Sequence, residues 1–190
     1  GMEPHSVLVL AFNKAIAVAM QARLPHKNVT VKTLNGLGHG ILMRDFRFRN
    51  VVLESGKTNL VLRAVSGYDQ LDRDDQKSVD AATYAITKLV SLFKSHAMSN
   101  PTRDDVDELM NRFDIDYPDP EDVQIDYFYD LLFTTFKRSN ENFKMIDFDD
   151  QVFLPIHLGL RFPPFYKLVM IDESQDLNPV QIEMVRRLTE

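Results

Sequence analysis

The sequence predicts an α/β chain: a parallel sheet built from its two outer segments, with an all-helical segment inserted between them. Two observations predict the sheet. Val7-Leu-Val-Leu-Ala-Phe12 and Lys167-Leu-Val-Met-Ile171 are continuous apolar runs, the pattern of strands buried on both faces of a parallel sheet. A third predicts the insertion. Helical periodicity dominates residues 45–144, and no clear strand stands out there. The expected division is therefore 1–44 with 145–190 as the core and 45–144 as the helical segment.

The elements follow in order. After the first strand, Asn13 is placed to cap a helix whose apolar residues Ala15, Ile16, Ala19, Met20 and Leu24 repeat at helical spacing, and Pro25 ends it. Val29-Thr-Val31 reads as a short second strand. Thr33-Leu-Asn-Gly-Leu-Gly-His-Gly40 holds three glycines in eight residues and reads as a special turn. Helices are expected at 57–66 closed by Gly67, at 76–97, at 102–113 behind Thr102, and at 121–137 with Pro120 in the first turn. A further helix runs from Asp147 to about Leu154 and breaks near Pro155. After the last strand, Asn178 and Pro179 form a cap and first-turn pair for a helix through Leu188.

Composition narrows the function. The chain has 190 residues, 44% hydrophobic and 10% aromatic, enough for a sizeable core and too apolar for wholesale disorder. No apolar run approaches the roughly 18 residues of a membrane span, so no membrane role is expected. There are no cysteines, which excludes a thiolate metal site and cysteine catalysis and fits a reducing, cytoplasmic setting. Gly1 ahead of Met2 reads as a cleavage remnant. The net charge of −6 hides an asymmetry. Residues 104–130 hold eleven acids and one arginine, Arg112, whereas residues 1–50 hold seven Lys or Arg and two acids. A polyanion partner for the N-terminal part is thus compatible with an acidic whole. The acidic block is expected to be the solvated face of two helices, turned away from any DNA.

Acids at the tip of a buried strand suit a hydrated Mg²⁺, which takes one or two carboxylates plus phosphate oxygens and keeps waters. A second carboxylate beside the first can take a proton from an attacking water. Asp172-Glu173 alone would equally be the end of a strand in a solvated turn. The longer string Ile171-Asp-Glu-Ser-Gln-Asp-Leu-Asn-Pro-Val-Gln181 says more: it resembles the Walker B segment of the UvrD/Rep-like superfamily one DNA helicases. Two other stretches agree, in the right order. Ala11-Phe-Asn-Lys-Ala-Ile-Ala17 resembles that family's first DNA-contacting motif, and Thr33-Leu-Asn-Gly-Leu-Gly-His39 its next one. Ile146-Asp-Phe-Asp-Asp-Gln151 looks like the helix that precedes Walker B.

The resemblance implies a partial RecA-like P-loop NTPase core with an inserted helical subdomain. It implies a fragment of an ATP-dependent DNA helicase that couples ATP hydrolysis to translocation on single-stranded DNA. ATP and Mg²⁺ would be its cofactors, and single-stranded DNA and the remainder of the helicase chain its partners. Asp172 would hold Mg²⁺, Glu173 would activate water, and Gln175 would sense the γ-phosphate. Phe12, Asn13, Lys14, Thr33 and Asn35 would line the DNA path, with Lys14 and backbone amides on a phosphate. In the family the phosphate-binding Gly-x-x-x-x-Gly-Lys-Thr lies upstream of a strand like Val7–Leu10, and no such string occurs in these 190 residues. Weak or no ATP binding is therefore expected of this fragment. The alternative is a non-catalytic DNA-binding or regulatory remnant of the same fold, and the coding sequence upstream of Met2 discriminates the two.

Three further features are weighed on their residues. Ser55-Gly-Lys-Thr58 resembles half a P-loop, but Val51 stands where the loop needs its first glycine. It reads instead as a helix N-terminus capped by Ser55 or Thr58. Arg44-Asp-Phe-Arg-Phe-Arg49 interleaves cations and aromatics, a composition that fits stacking on nucleic acid and a buried hinge equally. His26, His39, His96 and His157 show no metal-ligand spacing.

Overall fold

A computed structural model describes residues 3, 6–26, 28–163 and 166–189. Gly1 and Met2 lie outside the described residues. The chain divides into two compact units, residues 1–49 with 148–190 and residues 50–147.

The first unit is built on a parallel sheet of order β2-β1-β5, from β1 (Val7–Leu10), β2 (Thr30–Lys32) and β5 (Leu168–Ile171). Leu8 lies opposite Thr30 on one side and Val169 on the other. Helix α1 (Lys14–Arg23) packs on β2, and α2 (Leu34–Leu42), α7 (Phe148–His157) and α8 (Pro179–Thr189) pack in sequence, α2 on α7 and α7 on α8. The core is Leu8, Leu10, Leu37, Ile41, Leu42, Phe153, Leu154 and Met184. The sheet is less enclosed than the apolar runs predict. Leu8 and Leu10 are buried, but Val7 and Val9 only half so, and on the edge strand β5 Leu168 and Met170 stay exposed. A continuous apolar run signals two faces that need cover, and here one face of β5 lacks it.

The glycine-rich stretch is not a turn. It is the body of α2, capped by Thr33, whose Oγ accepts the Gly36 N–H at 3.0 Å. Glycine costs about 1 kcal/mol against alanine in a helix. Packing requires it at one of the three positions. A Cβ on Gly38 would lie 1.8 Å from the carbonyl oxygen of Gln151, so only glycine lets α2 and α7 approach this closely. Helix α7 also contains Pro155 rather than ending before it.

The second unit is mostly helical: α3 (Lys57–Ser66), α4 (Arg73–Ser95), α5 (Arg103–Phe113) and α6 (Ile125–Glu141). Its core is Leu62, Val79, Ile86, Leu89, Val90, Phe93, Phe128 and Leu132, with Phe93 and Phe136 edge to face at 5.3 Å. Three expectations are corrected. The unit has a small parallel pair, β3 (Val52–Leu53) with β4 (Met145–Ile146), too short to show a period in sequence. Helix α6 starts at Ile125, and Pro120 lies in the preceding turn. Helix α4 starts earlier than its apolar period suggests, because Asp72 accepts the Asp74 and Asp75 N–H groups. Thr102 caps α5 in a reciprocal capping box with Asp105.

Candidate nucleotide and nucleic-acid site

The chemistry-bearing residues sit where β1, β2 and β5 end, because side chains at the carboxyl ends of parallel strands face the open crevice. β1 delivers Phe12, Asn13 and Lys14. Asn13 caps α1, its Oδ1 accepting the Ile16 N–H at 2.9 Å, so its side chain is occupied at the helix start. Phe12 is 61% exposed, an unusual exposure for a ring beside a buried strand. Lys14 opens α1 and is exposed. β2 delivers Thr33, likewise occupied by capping, and Asn35 in the first turn of α2. Asn35 Nδ2 donates to the carbonyl of Phe148 at 2.7 Å.

β5 delivers the acids. The Asp172 N–H donates to the Leu10 carbonyl at 2.9 Å, prolonging the ladder by one bond and fixing Asp172 against β1. Glu173 is left-handed at φ 53°, a conformation that costs a non-glycine residue about 1 kcal/mol or more and that turns the chain sharply off the strand. A short 3₁₀ turn follows over Ser174–Asp176. Gln175 Nε2 donates to Glu173 Oε2, which joins the two side chains. Beyond them, Asn178 and Gln181 cap each other reciprocally at 3.0 Å and start α8.

These strand ends enclose a cleft of about 190 Å³. Its walls include Phe12, Leu34, Asn35, Asp172, Asp176, Asn178 and Gln181. Of the residues singled out in sequence, the cleft thus gathers Phe12, Asn35 and Asp172. Asn13, Lys14, Thr33, Glu173 and Gln175 lie beside it without lining it. Asp176 and Gln181 are lining residues that belong to the motif string but received no role from it. Phe148 belongs to the string Ile146–Gln151 but received no role from it. It is 56% exposed at the start of α7, and is tied through its backbone carbonyl to Asn35.

The Mg²⁺ implied by the resemblance fits the donor set. Asp172 is half-buried and has no ion pair among the described residues, so its carboxylate is free for a hard cation. No group of three or more metal-ligating side chains occurs among the described residues. A half-buried carboxylate at a strand end suits an ion held by one or two carboxylates, waters and phosphates.

Ser55-Gly-Lys-Thr58 is no phosphate loop. Lys57 is fully buried, and no side chain from the string caps α3. Glu54 does the local work, accepting the Gly56 N–H at 2.9 Å. Arg44–Arg49 divides: Phe48 is fully buried while Phe46 is 74% exposed. The acidic block is solvated as expected, all of its acids exposed but the half-buried Asp105. No helix among the described residues is long and apolar enough to cross a membrane.

Comparison with curated proteins finds no match for this sequence. The family comparison does. Residues 1–190 match the model of the UvrD/REP helicase N-terminal domain, and with a RecA-like parallel sheet and acids at its strand ends the chain belongs to that helicase family.

Proposed function

We propose that this chain is the part of an ATP-dependent helicase motor in which the nucleotide site and the single-stranded DNA path meet. The observation that carries this reading is the shared cleft. Asp172 on the nucleotide side and Phe12 and Asn35 on the DNA side line the same small space. A shift of the β5 end on nucleotide turnover would therefore reach the DNA-side residues without a long relay. Mg²⁺ on Asp172 would neutralise charge on the β- and γ-phosphates during phosphoryl transfer. Glu173 would orient the attacking water and accept its proton, held in place by Gln175. Lys14 would hold a backbone phosphate, and Phe12 would stack on a base, with Phe148 as a second ring on that side. The exposed Leu168 and Met170 of β5 suit cover by the remainder of the helicase chain. The cysteine-free composition suits a cytoplasmic setting.

A salt titration of fluorescent oligonucleotide binding tests the DNA side. Binding by the 190-residue chain should be weak and fall with salt, with a slope of about −0.7 per phosphate neutralised. Lys14→Ala should reduce that slope by somewhat under one unit. Phe12→Ala should weaken binding at every salt by about 1–3 kcal/mol with the slope unchanged, since stacking releases no counterions. Asp119→Lys in the acidic block should change little. An unchanged slope for Lys14→Ala together with strong tightening by Asp119→Lys would place the strand elsewhere. On the nucleotide side, the 190-residue chain by itself should show no measurable ATP hydrolysis, because it contains no phosphate-cradling glycine loop. Turnover abolished by Glu173→Gln would overturn that.

A further inference from the structure

A second cavity lies at the other end of the helices that flank the cleft. Near their N-termini α2 and α7 are joined by the bond from Asn35 to the Phe148 carbonyl, and one turn on Gly38 meets Gln151. The helices therefore run side by side in the same direction. Nine or ten residues at 1.5 Å each carry the chain roughly 14 Å from the cleft. There, the residues that follow both helices enclose about 460 Å³. Ile41, Leu160, Phe162 and Pro163 supply apolar walls, and Arg44, Arg161 and Asp45 supply charge.

The charge is not balanced. Asp45 is taken by Arg47, whose Nε and Nη2 donate to its two oxygens at 2.9 and 2.8 Å. Arg44 and Arg161 are exposed, and neither makes an ion pair among the described residues. The cavity thus combines an apolar interior of ligand-binding size with two unpaired guanidinium groups. Guanidinium forks match carboxylates in geometry and charge. We propose that this cavity docks an acidic peptide segment of a partner protein, one bulky apolar side chain entering between Leu160 and Phe162 while flanking carboxylates meet Arg44 and Arg161. A nucleic-acid strand fits less well. It would want exposed rings to stack on and a line of cations, whereas among the described lining residues Phe162, the one ring, is half-buried and Arg44 and Arg161 are the two cations. The site lies apart from the strand-end cleft and does not rest on the function proposed for it.

Fluorescence anisotropy with the 190-residue chain tests the proposal. The probes are labelled hexapeptides with four Glu around a central pair containing Leu, Phe or Trp, and their Gln-for-Glu counterparts. At low salt at least one acidic probe should bind saturably and its Gln counterpart should not. Arg44→Gln and Arg161→Gln should each weaken that binding about tenfold, the loss of one charge-assisted contact. Both variants should bind a labelled oligothymidine as the parent does. Equal binding of Glu and Gln peptides overturns the proposal, as does failure of every acidic probe. Loss of oligothymidine affinity in both arginine variants also overturns it, because the cavity would then belong to the nucleic-acid path. The peptide comparison needs no variant, so a misfolded substitution leaves it intact.

Discussion

The two units of this molecule use their polar side chains in opposite ways. In the helical unit several charged and hydroxylated groups are spent on one another, although the Thr135 and Ser139 hydroxyls are buried without a hydrogen-bond partner. Lys94, on a helix otherwise rich in core residues, is buried and donates to Asp147 Oδ2 at 2.9 Å. Asp107 accepts from both Tyr117 and Tyr129, which holds its carboxyl below the usual carboxylate range. Thr102 and Asp105 close a capping box. In the sheet unit the polar groups at the strand ends are only partly engaged. Asn13 and Thr33 cap helices, but Lys14 and Asp172 have no ion pair among the described residues, and Phe12 is left in solvent. The difference teaches where chemistry is available. A side chain already paired inside its own unit stabilises the fold, and one left unpaired at the rim of a cleft is free for a ligand.

The largest expected effect breaks the helical unit. Lys94→Ala leaves Asp147 buried without its cation, and breaking one partner of a buried pair costs about 3–5 kcal/mol. Replacing both with apolar residues, Lys94→Met with Asp147→Leu, should cost less, because the two charges of this pair are then removed together. Denaturant unfolding of the three proteins checks this. Equal losses for the single and double variants would mean that the pair positions neighbouring groups rather than balancing charge.

The next effect separates packing from propensity within α2. Gly38→Ala should destabilise by about 1–3 kcal/mol, because its methyl group overlaps the Gln151 carbonyl and the helices must move apart. Gly40→Ala should stabilise by up to about 1 kcal/mol. Its Cβ would meet only Lys32 Nζ at 3.9 Å, and alanine is the better helix former. The same substitution two residues apart should thus change sign. Thermal melts of both variants decide it, and a stabilising Gly38→Ala would refute the close approach of α2 and α7.

This helix also shows how far the sequence could be read. Three glycines in eight residues argue for a turn, and they outweigh Leu34, Leu37 and Ile41, whose spacing is that of a helix face. The reason for Gly38 lies on α7, more than a hundred residues away, and no local window contains it. The strands were legible because an apolar run bounded by polar residues is a local signal. Their exposed face on β5 was not, since exposure depends on what packs there. In the cleft, the motif strings point to Asp172, Phe12 and Asn35 one at a time. That these three share walls follows from β1 pairing with β5 and from α2 starting beside their ends, and that Phe148 joins Asn35 follows from α2 and α7 lying side by side. Lys57 shows the converse: its string suggests phosphate chemistry, and its complete burial removes it from any.

The smallest effect sharpens the contrast between paired and unpaired charges. Asp45, in the sheet unit, behaves like the paired acids of the helical one. The Arg47 side chain donates to it, the Arg47 N–H adds a bond, and its pKa is lowered from 3.8 to about 2. A carboxylate whose folded pKa is depressed contributes stability that is fully present above its unfolded value and is lost as pH falls through the folded one. The Asp45–Arg47 pair should therefore support the fold above about pH 4 and lose its contribution between about pH 4 and 2. The pair is partly exposed, so solvent screening keeps the effect small, on the order of 1 kcal/mol. Asp45→Asn should flatten this part of the stability curve and leave the neutral-pH value lowered by that amount. Urea midpoints measured across the acid range for the parent and Asp45→Asn test this, and a slope that Asp45→Asn leaves unchanged would show that Arg47 does not hold the Asp45 carboxylate in the folded chain.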